Sequence, residues 1–270
     1  MNELFSISKI TAGYAINQPV LSIEKLNFEK QKTTFILGKS GIGKSTLLEL
    51  LGLMNNTLLP GANANLSYSN GIANQSYFDL WKTGDAKLAR FRNANFSFIF
   101  QNENLMHNFS AGENMCFTQM MQGRSFKEAK EVTLKFMSQL NIEETKFNAS
   151  VSHFSGGQRQ RLSFIRALAT NYKVLFGDEP TGNLDSFNAT KMIETLKTDL
   201  EKKQASAIVV SHHIELALEF ADQIIVITPK INTNTEDKIV GEIVDQNIFN
   251  RAEWISNKAS FKAHLENSIK

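Results

Sequence analysis

The chain has 270 residues, with 29 Lys+Arg set against 27 Asp+Glu. At roughly 100–200 residues per domain this length holds one large domain or two small ones, and a formal net charge of +2 gives no global electrostatic reason to bind nucleic acid. The single cysteine, Cys116, excludes an internal disulfide and has no metal-ligand partner spacing, so it is expected as a small buried hydrophobe in a reducing compartment.

In chain order, the start MNELFSISKI lacks a charged region followed by an apolar one, so no signal peptide is expected. No apolar run approaches the ~18–20 residues of a membrane span. A soluble chain is expected, with any spans carried by another chain. TTFIL (33–37) reads as a buried strand, and a helix should start at Lys44 with Leu47, Leu48 and Leu51 on one face. The segment 55–75, rich in Asn, Gly and Ser, reads as loops around a short strand. FSFIF (96–100) is a further strand. From about 103 to 170 the pattern is helical, including Phe126, Ala129, Val132, Phe136, Met137 and Leu140 at helical spacing.

VLFG (174–177), AIVV (207–210) and IIVI (224–227) are short continuous apolar runs, the pattern of strands buried on both faces. Helices near 187–203 and 213–221 separate them, and the alternation argues for an α/β core with a largely parallel sheet. The polar stretch 230–238 reads as a hairpin tip. Near the end, Trp254, Phe261, Leu265 and Ile269 fall near one helical face, an amphipathic tail expected to pack on its own domain.

Three short stretches carry chemistry. Gly38 to Thr46, GKSGIGKST, matches G-x-x-x-x-G-K-[ST] between a strand and a helix. Gly38, Gly41 and Gly43 permit backbone angles that turn N–H groups of Lys39, Ser40 and Ile42 inward around phosphate oxygens. The helix start adds a favourable partial charge, Lys44 a full charge for the β- and γ-phosphates, and Ser45, beside Thr46, a hydroxyl for Mg²⁺. In KVLFGDEP, Asp178 at the strand end can reach Mg²⁺ through water. Glu179, one residue on, is the candidate base that orients or deprotonates an attacking water. In FSGGQRQR, Ser155 and Gln158 have capping-box spacing, yet Gly156 and Gly157 fill the first turn, at a cost of roughly 1 kcal/mol each relative to Ala.

The phosphate loop, FSGGQ, LFGDEP, NLD and SHH, in that order, resemble the nucleotide-binding subunit of ATP-binding cassette (ABC) transporters, across residues 3–245. The resemblance implies an α/β fold: a P-loop NTPase (RecA-like) core with an antiparallel β subdomain and an inserted α-helical subdomain. Residues 1–245 would be the ABC ATPase domain, with the helical part at about 103–170, and 246–270 a C-terminal amphipathic tail. It further implies that Gln101 touches Mg²⁺ and senses the membrane partner, and that His212 contacts the γ-phosphate while His213 starts a helix. Tyr14 would stack on adenine. Asp185, a plausible N-cap, would also lie in the loop that crosses between subunits. Ser155, Gly156, Gly157 and Gln158 would close over ATP held by the cradle of a second copy, so ATP glues a homodimer and hydrolysis releases it.

LARFRNANFSFIFQNENLMHNFSAGENM and GNLDS are similar to the lipoprotein-release, macrolide-export and cell-division branch (LolD/MacB-type). That branch implies an integral membrane permease received by Gln101 to Glu113, a peripheral position on the cytoplasmic face of the membrane, and no nucleic-acid partner. A cell-division-type ATPase that drives an extracytoplasmic partner without moving a solute is the alternative. Phe154 stands where Leu is usual, and SFIRAL where AIARAL is commoner; both keep apolar character. The DNA-repair cassettes are disfavoured, because no sustained heptads separate cradle and signature.

Overall fold

The computed structural model describes residues 2–59, 61–69, 71, 73–182, 184–231 and 239–269. In chain order they form β1 (Glu3–Ala15), β2 (Gln18–Glu29), β3 (Thr33–Gly38), α1 (Lys44–Leu51), β4 (Asn65–Ser69), β5 (Asn74–Ser76), α2 (Tyr77–Leu80), α3 (Asp85–Asn95) and β6 (Phe96–Ile99). There follow α4 (Ala111–Met121), α5 (Phe126–Gln139), two 3-10 turns (Glu144–Asn148 and Val151–His153), α6 (Gly156–Leu168), β7 (Val174–Asp178) and α7 (Ser186–Lys203). The chain continues through β8 (Ser206–Val210), α8 (Ile214–Phe220), β9 (Gln223–Ile231), β10 (Ile239–Ile243), a 3-10 turn (Asp245–Asn247), β11 (Ile248–Asn250), α9 (Arg251–Trp254) and α10 (Lys258–Ile269). Two compact units result, one from Met1–Arg92 with Ser206–Lys270, the other from Asn93–Ala205.

The first unit is a mixed sheet in the order β5-β4-β1-β2-β10-β9-β3-β8, with β11 also on β9. β3 runs parallel to β8 and β9, whereas β1, β2, β4 and β5 pair antiparallel. Every residue of β3 and of β8 is buried, which is why these runs are continuously apolar rather than alternating. β1 instead alternates loosely between core and surface. Its inward residues join an aromatic cluster in which Phe5 packs against Phe28, Tyr68 and Tyr77 at centroid separations of 5.2–6.1 Å.

The second unit pairs β6 with β7 in parallel, with Phe176 between Phe96 and Phe98 at 5.3 and 5.4 Å. Between 103 and 170 the described elements are helical, apart from one isolated bridge between Ser110 and Ser150. Capping boxes start α4 at Ser110/Glu113 and α5 at Ser125/Glu128. Cys116 is buried, its sulfur 3.6 Å from the Thr133 hydroxyl.

Two expectations need correction. The segment 55–75 holds β4 and the start of a second strand, because the polar trio Asn74–Ser76 pairs antiparallel with β4. The tail is not one helix: α9 ends at Trp254, and α10 begins after Asn257, whose side chain accepts from Ser260 N. The turn lets Trp254 stack on Phe261 with an interplanar angle of 9°. The hairpin tip expected at 230–238 falls mostly on 232–238, outside the described residues; β9 and β10 on either side pair antiparallel, Ile231 opposite Ile239.

Candidate functional site

In the first unit, β3 delivers the chain into a loop that turns through glycines. Gly38, Gly41 and Gly43 have φ of +154°, +75° and +106°. Gly43 is the left-handed N-cap of α1, which carries no side-chain cap and no acidic residue in its first turn. This contrasts with the side-chain caps on α4, α5, α6 and α7. A helix start left to backbone amides is suited to an anion. Lys44 is buried, and its ammonium donates to the carbonyls of Gly38 (2.8 Å) and Lys39 (2.7 Å), which aims the charge across the loop. Lys39, Ser40, Gly41 and Ser45 are exposed, while Ile42 and Thr46 are buried.

Tyr14, near the end of β1, is 61% exposed. Its hydroxyl donates to Glu49 Oε2 (3.0 Å) and lies 3.3 Å from Thr46 Oγ1, so the phenol is pinned to α1 while the ring faces outward. Desolvation raises its pKa above the usual tyrosine value. At the end of β8, Ser211 N donates to Ile36 O of β3 (3.2 Å), and Ser211 Oγ accepts from His213 N (3.0 Å). His212 lies exposed between these anchors, and His213 is the N-cap of α8.

In the second unit, Gln101 is exposed just beyond β6. The chain after it is held from α6: Arg166 donates to the carbonyls of Glu103 (2.8 Å) and Asn104 (2.7 Å), and Arg159 faces the Glu103 carboxylate at 3.8 Å. Asp178 closes β7 and is half-buried. Glu179 follows in the left-handed region, φ +49°, a conformation that costs a non-glycine residue about 1–3 kcal/mol and clusters at functional sites. Its carbonyl accepts from Gln160 Nε2 (3.3 Å) and Gly182 N (3.2 Å). Gln160 is buried on the helix that begins with the FSGGQ stretch. Sequence reasoning missed it, since nothing local in RQR marks the middle residue as a tether.

Ser155 and Gln158 make the reciprocal cap that their spacing anticipates, with α6 beginning at Gly156. A Cβ on Gly156 would meet nothing closer than Arg159 Nη2 at 3.9 Å. Packing within this chain therefore does not require the glycine. Asp185 caps α7 by accepting from Asn188 N (3.0 Å) and Asn188 Nδ2 (2.6 Å), and those hydrogen bonds hold its carboxyl below the usual aspartate pKa.

The ABC transporter pattern matches residues 21–182, more than half of the chain. The chain belongs to the ABC transporter family. Among curated ABC relatives, the lipoprotein-releasing system ATP-binding protein LolD of Colwellia psychrerythraea is 30% identical over 220 residues, 80% of this chain and 81% of that protein. LolD of Pseudoalteromonas translucida is 34% identical over 221 residues, covering 80% and 90%. Among solved structures, the ATP-binding cassette MJ0796, a dimer in a post-hydrolysis state bound to ADP and Pi, superposes with TM-score 0.75 at 26% identity over 92% of this chain and 99% of its own. The family and fold expected from the motifs are thus established.

The loop fits a nucleotide polyphosphate: it offers inward-capable amides, an uncapped helix start and one buried ammonium. Ser45 and Asp178 are hard oxygen donors of the kind Mg²⁺ takes. Among the described residues no group of three or more His, Cys, Asp or Glu could hold a metal ion.

Proposed function

We propose that this chain is the ATP-hydrolysing motor of a transporter of the lipoprotein-release/macrolide-export type, acting as a homodimer that closes on two ATP molecules at the cytoplasmic face of a membrane. The observation that carries the proposal is the contrast between two helix starts. α1 begins on a left-handed glycine without a side-chain cap, as a phosphate cradle requires. α6 is fully capped, yet begins on a glycine for which this chain alone has no packing need. Such a glycine is explained if another molecule's phosphate approaches it. LolD relatives and the dimeric MJ0796 cassette favour the same reading.

In this reading Lys44 and the loop amides from Gly38 to Thr46 hold the β- and γ-phosphates, and Tyr14 presents its ring to the adenine. Ser155 accepts within the cap from Gln158 N, so its own proton is available to a γ-phosphate oxygen, alongside the Gly156 and Gly157 amides. Glu179 receives the proton of the attacking water or orients that water. His212 and Gln101 contact the γ-phosphate region, and Asp185 reaches toward the second copy. When bound, Mg²⁺ neutralises charge on the phosphate oxygens; Ser45, Asp178 and Gln101 would hold it.

No helix among the described residues is long and apolar enough to cross a membrane; in this reading the spans belong to a partner permease. Phe109, Phe117, Met120 and Met121 are exposed on and before α4, at 36%, 41%, 46% and 62%. Phe109 lies within the Gln101 to Glu113 region assigned to the permease and its ring meets Phe117 of α4 at 6.1 Å, so the apolar exposure there supports a docking surface.

The test is isolation from detergent-solubilised native membranes. A polytopic membrane protein should accompany the wild-type chain and be lost on Phe109→Glu. An ATPase that nucleic acid stimulates and that no membrane protein accompanies would refute the transporter reading.

A further inference from the structure

α8 is only seven residues long, too short to be stable by its own hydrogen bonds. It begins two residues after His212 and has no side-chain cap at its start. At its other end, carbonyls that a helix leaves unpaired need outside donors, and the C-terminal segment supplies them. Trp254 Nε1 donates to Leu218 O (3.3 Å), and Arg251 Nη1 donates to Glu219 O (3.0 Å) and Ala221 O (2.7 Å). In the first turn of α8, the Glu215 carboxylate pairs with Lys262 of α10 at 2.6 Å.

These donors are themselves fixed. Trp254 and Leu265 are fully buried, and Phe261 stacks on Trp254 at 5.5 Å and meets Phe249 of β11 at 5.0 Å. Arg251 N also donates to Asp222 O, while Asp222 Oδ2 accepts from Thr33 N at the start of β3. The segment thus grips both ends of α8 and is anchored to the strand that leads into the phosphate loop.

We propose that residues 250–269 form a brace that sets the position of His212 through α8, with Arg251, Trp254 and Lys262 as positioning residues for hydrolysis. This rests on the assignment of His212 to the γ-phosphate. His212 is held on its N-terminal side by the β8–β3 ladder through Ser211. On its C-terminal side His213 N donates to Ser211 Oγ and the chain enters α8, which draws contacts at both its ends from the brace. Misplacing a group that acts in the transition state lowers turnover without a matching loss of substrate binding.

The experiment measures Mg-ATP turnover by the full-length protein, together with amide hydrogen exchange. Arg251→Met and Lys262→Ala should each lower kcat about three- to tenfold with KM for ATP within about twofold, and Lys262→Arg should restore kcat. Exchange at the α8 amides, 214–220, should accelerate in both loss variants, while the β3 amides remain protected. Unchanged kcat in both variants, unchanged α8 exchange, or a kcat loss matched by an equal rise in KM overturns the brace. His212→Ala separates the two levels. Wild-type turnover in that variant removes the γ-phosphate assignment, whereas a crippled His212→Ala beside unaffected Arg251→Met and Lys262→Ala removes the brace alone.

Discussion

Ser155 and Gln158 hold one another at the start of α6: the serine hydroxyl accepts from Gln158 N at 3.3 Å, and the glutamine side-chain oxygen accepts from Ser155 N at 3.0 Å. The cap needs neither glycine between them, and Gly156 has room for a methyl group in this chain. Gly156→Ala should therefore leave the melting temperature unchanged or raise it, since Ala is favoured over Gly in helices by up to about 1 kcal/mol. The same variant should lose turnover by about 10²-fold, the scale of losing one electrostatic donor to a developing charge, and fail to dimerise with ATP. Thermal unfolding and light scattering check the two halves of this expectation.

Tyr14 spends its hydroxyl on Thr46 and Glu49 and offers its ring to the exterior. An aromatic stack contributes about 0.5–1.5 kcal/mol beyond its area. Tyr14→Ala should weaken ATP binding about three- to tenfold, and Tyr14→Phe should not. Titration with a fluorescent ATP analogue decides it; equal affinities for wild type and the Ala variant would remove the residue from the site.

Cys116 provides a pH test of the packing in the second unit. Burial raises its thiol pKa above the usual 9.0, against smaller opposing effects of the Thr133 hydrogen bond and the Lys130 charge. A raised folded-state value means the thiol's contribution to stability is complete below about pH 9 and is lost as pH rises beyond it, because the unfolded chain ionises first. Native protein at pH 8 should resist iodoacetamide and react once unfolded; mass spectrometry after timed quenching reads both.

The deeply buried strands could be read from residue order, because VLFG, AIVV and IIVI are apolar on both faces. β1 and β2 were far less legible. Their half-buried residues interleave with Ser, Lys and Asn, and register shifts interrupt their pairing. Capping at Ser155 and Asp185 is encoded within four residues and was visible, as were the glycines of the phosphate loop. The Gln160–Glu179 tether and the clasp of Arg251, Trp254 and Lys262 on α8 join residues tens of positions apart. No local pattern specifies such pairs; the fold brings them together. The left-handed backbone at Glu179 was equally hidden, since nothing in DEP announces a positive φ.

The central claim is that Glu179 handles the attacking water while ATP binds two copies together. The direct measurement is steady-state ATP hydrolysis by Glu179→Gln, with size-exclusion chromatography in ATP. The account predicts turnover reduced by roughly 10²–10⁴, the contribution of a general base, and an ATP-dependent dimer that persists because it cannot hydrolyse its way apart. Near-normal hydrolysis by Glu179→Gln, or a variant that stays monomeric in ATP, would contradict it.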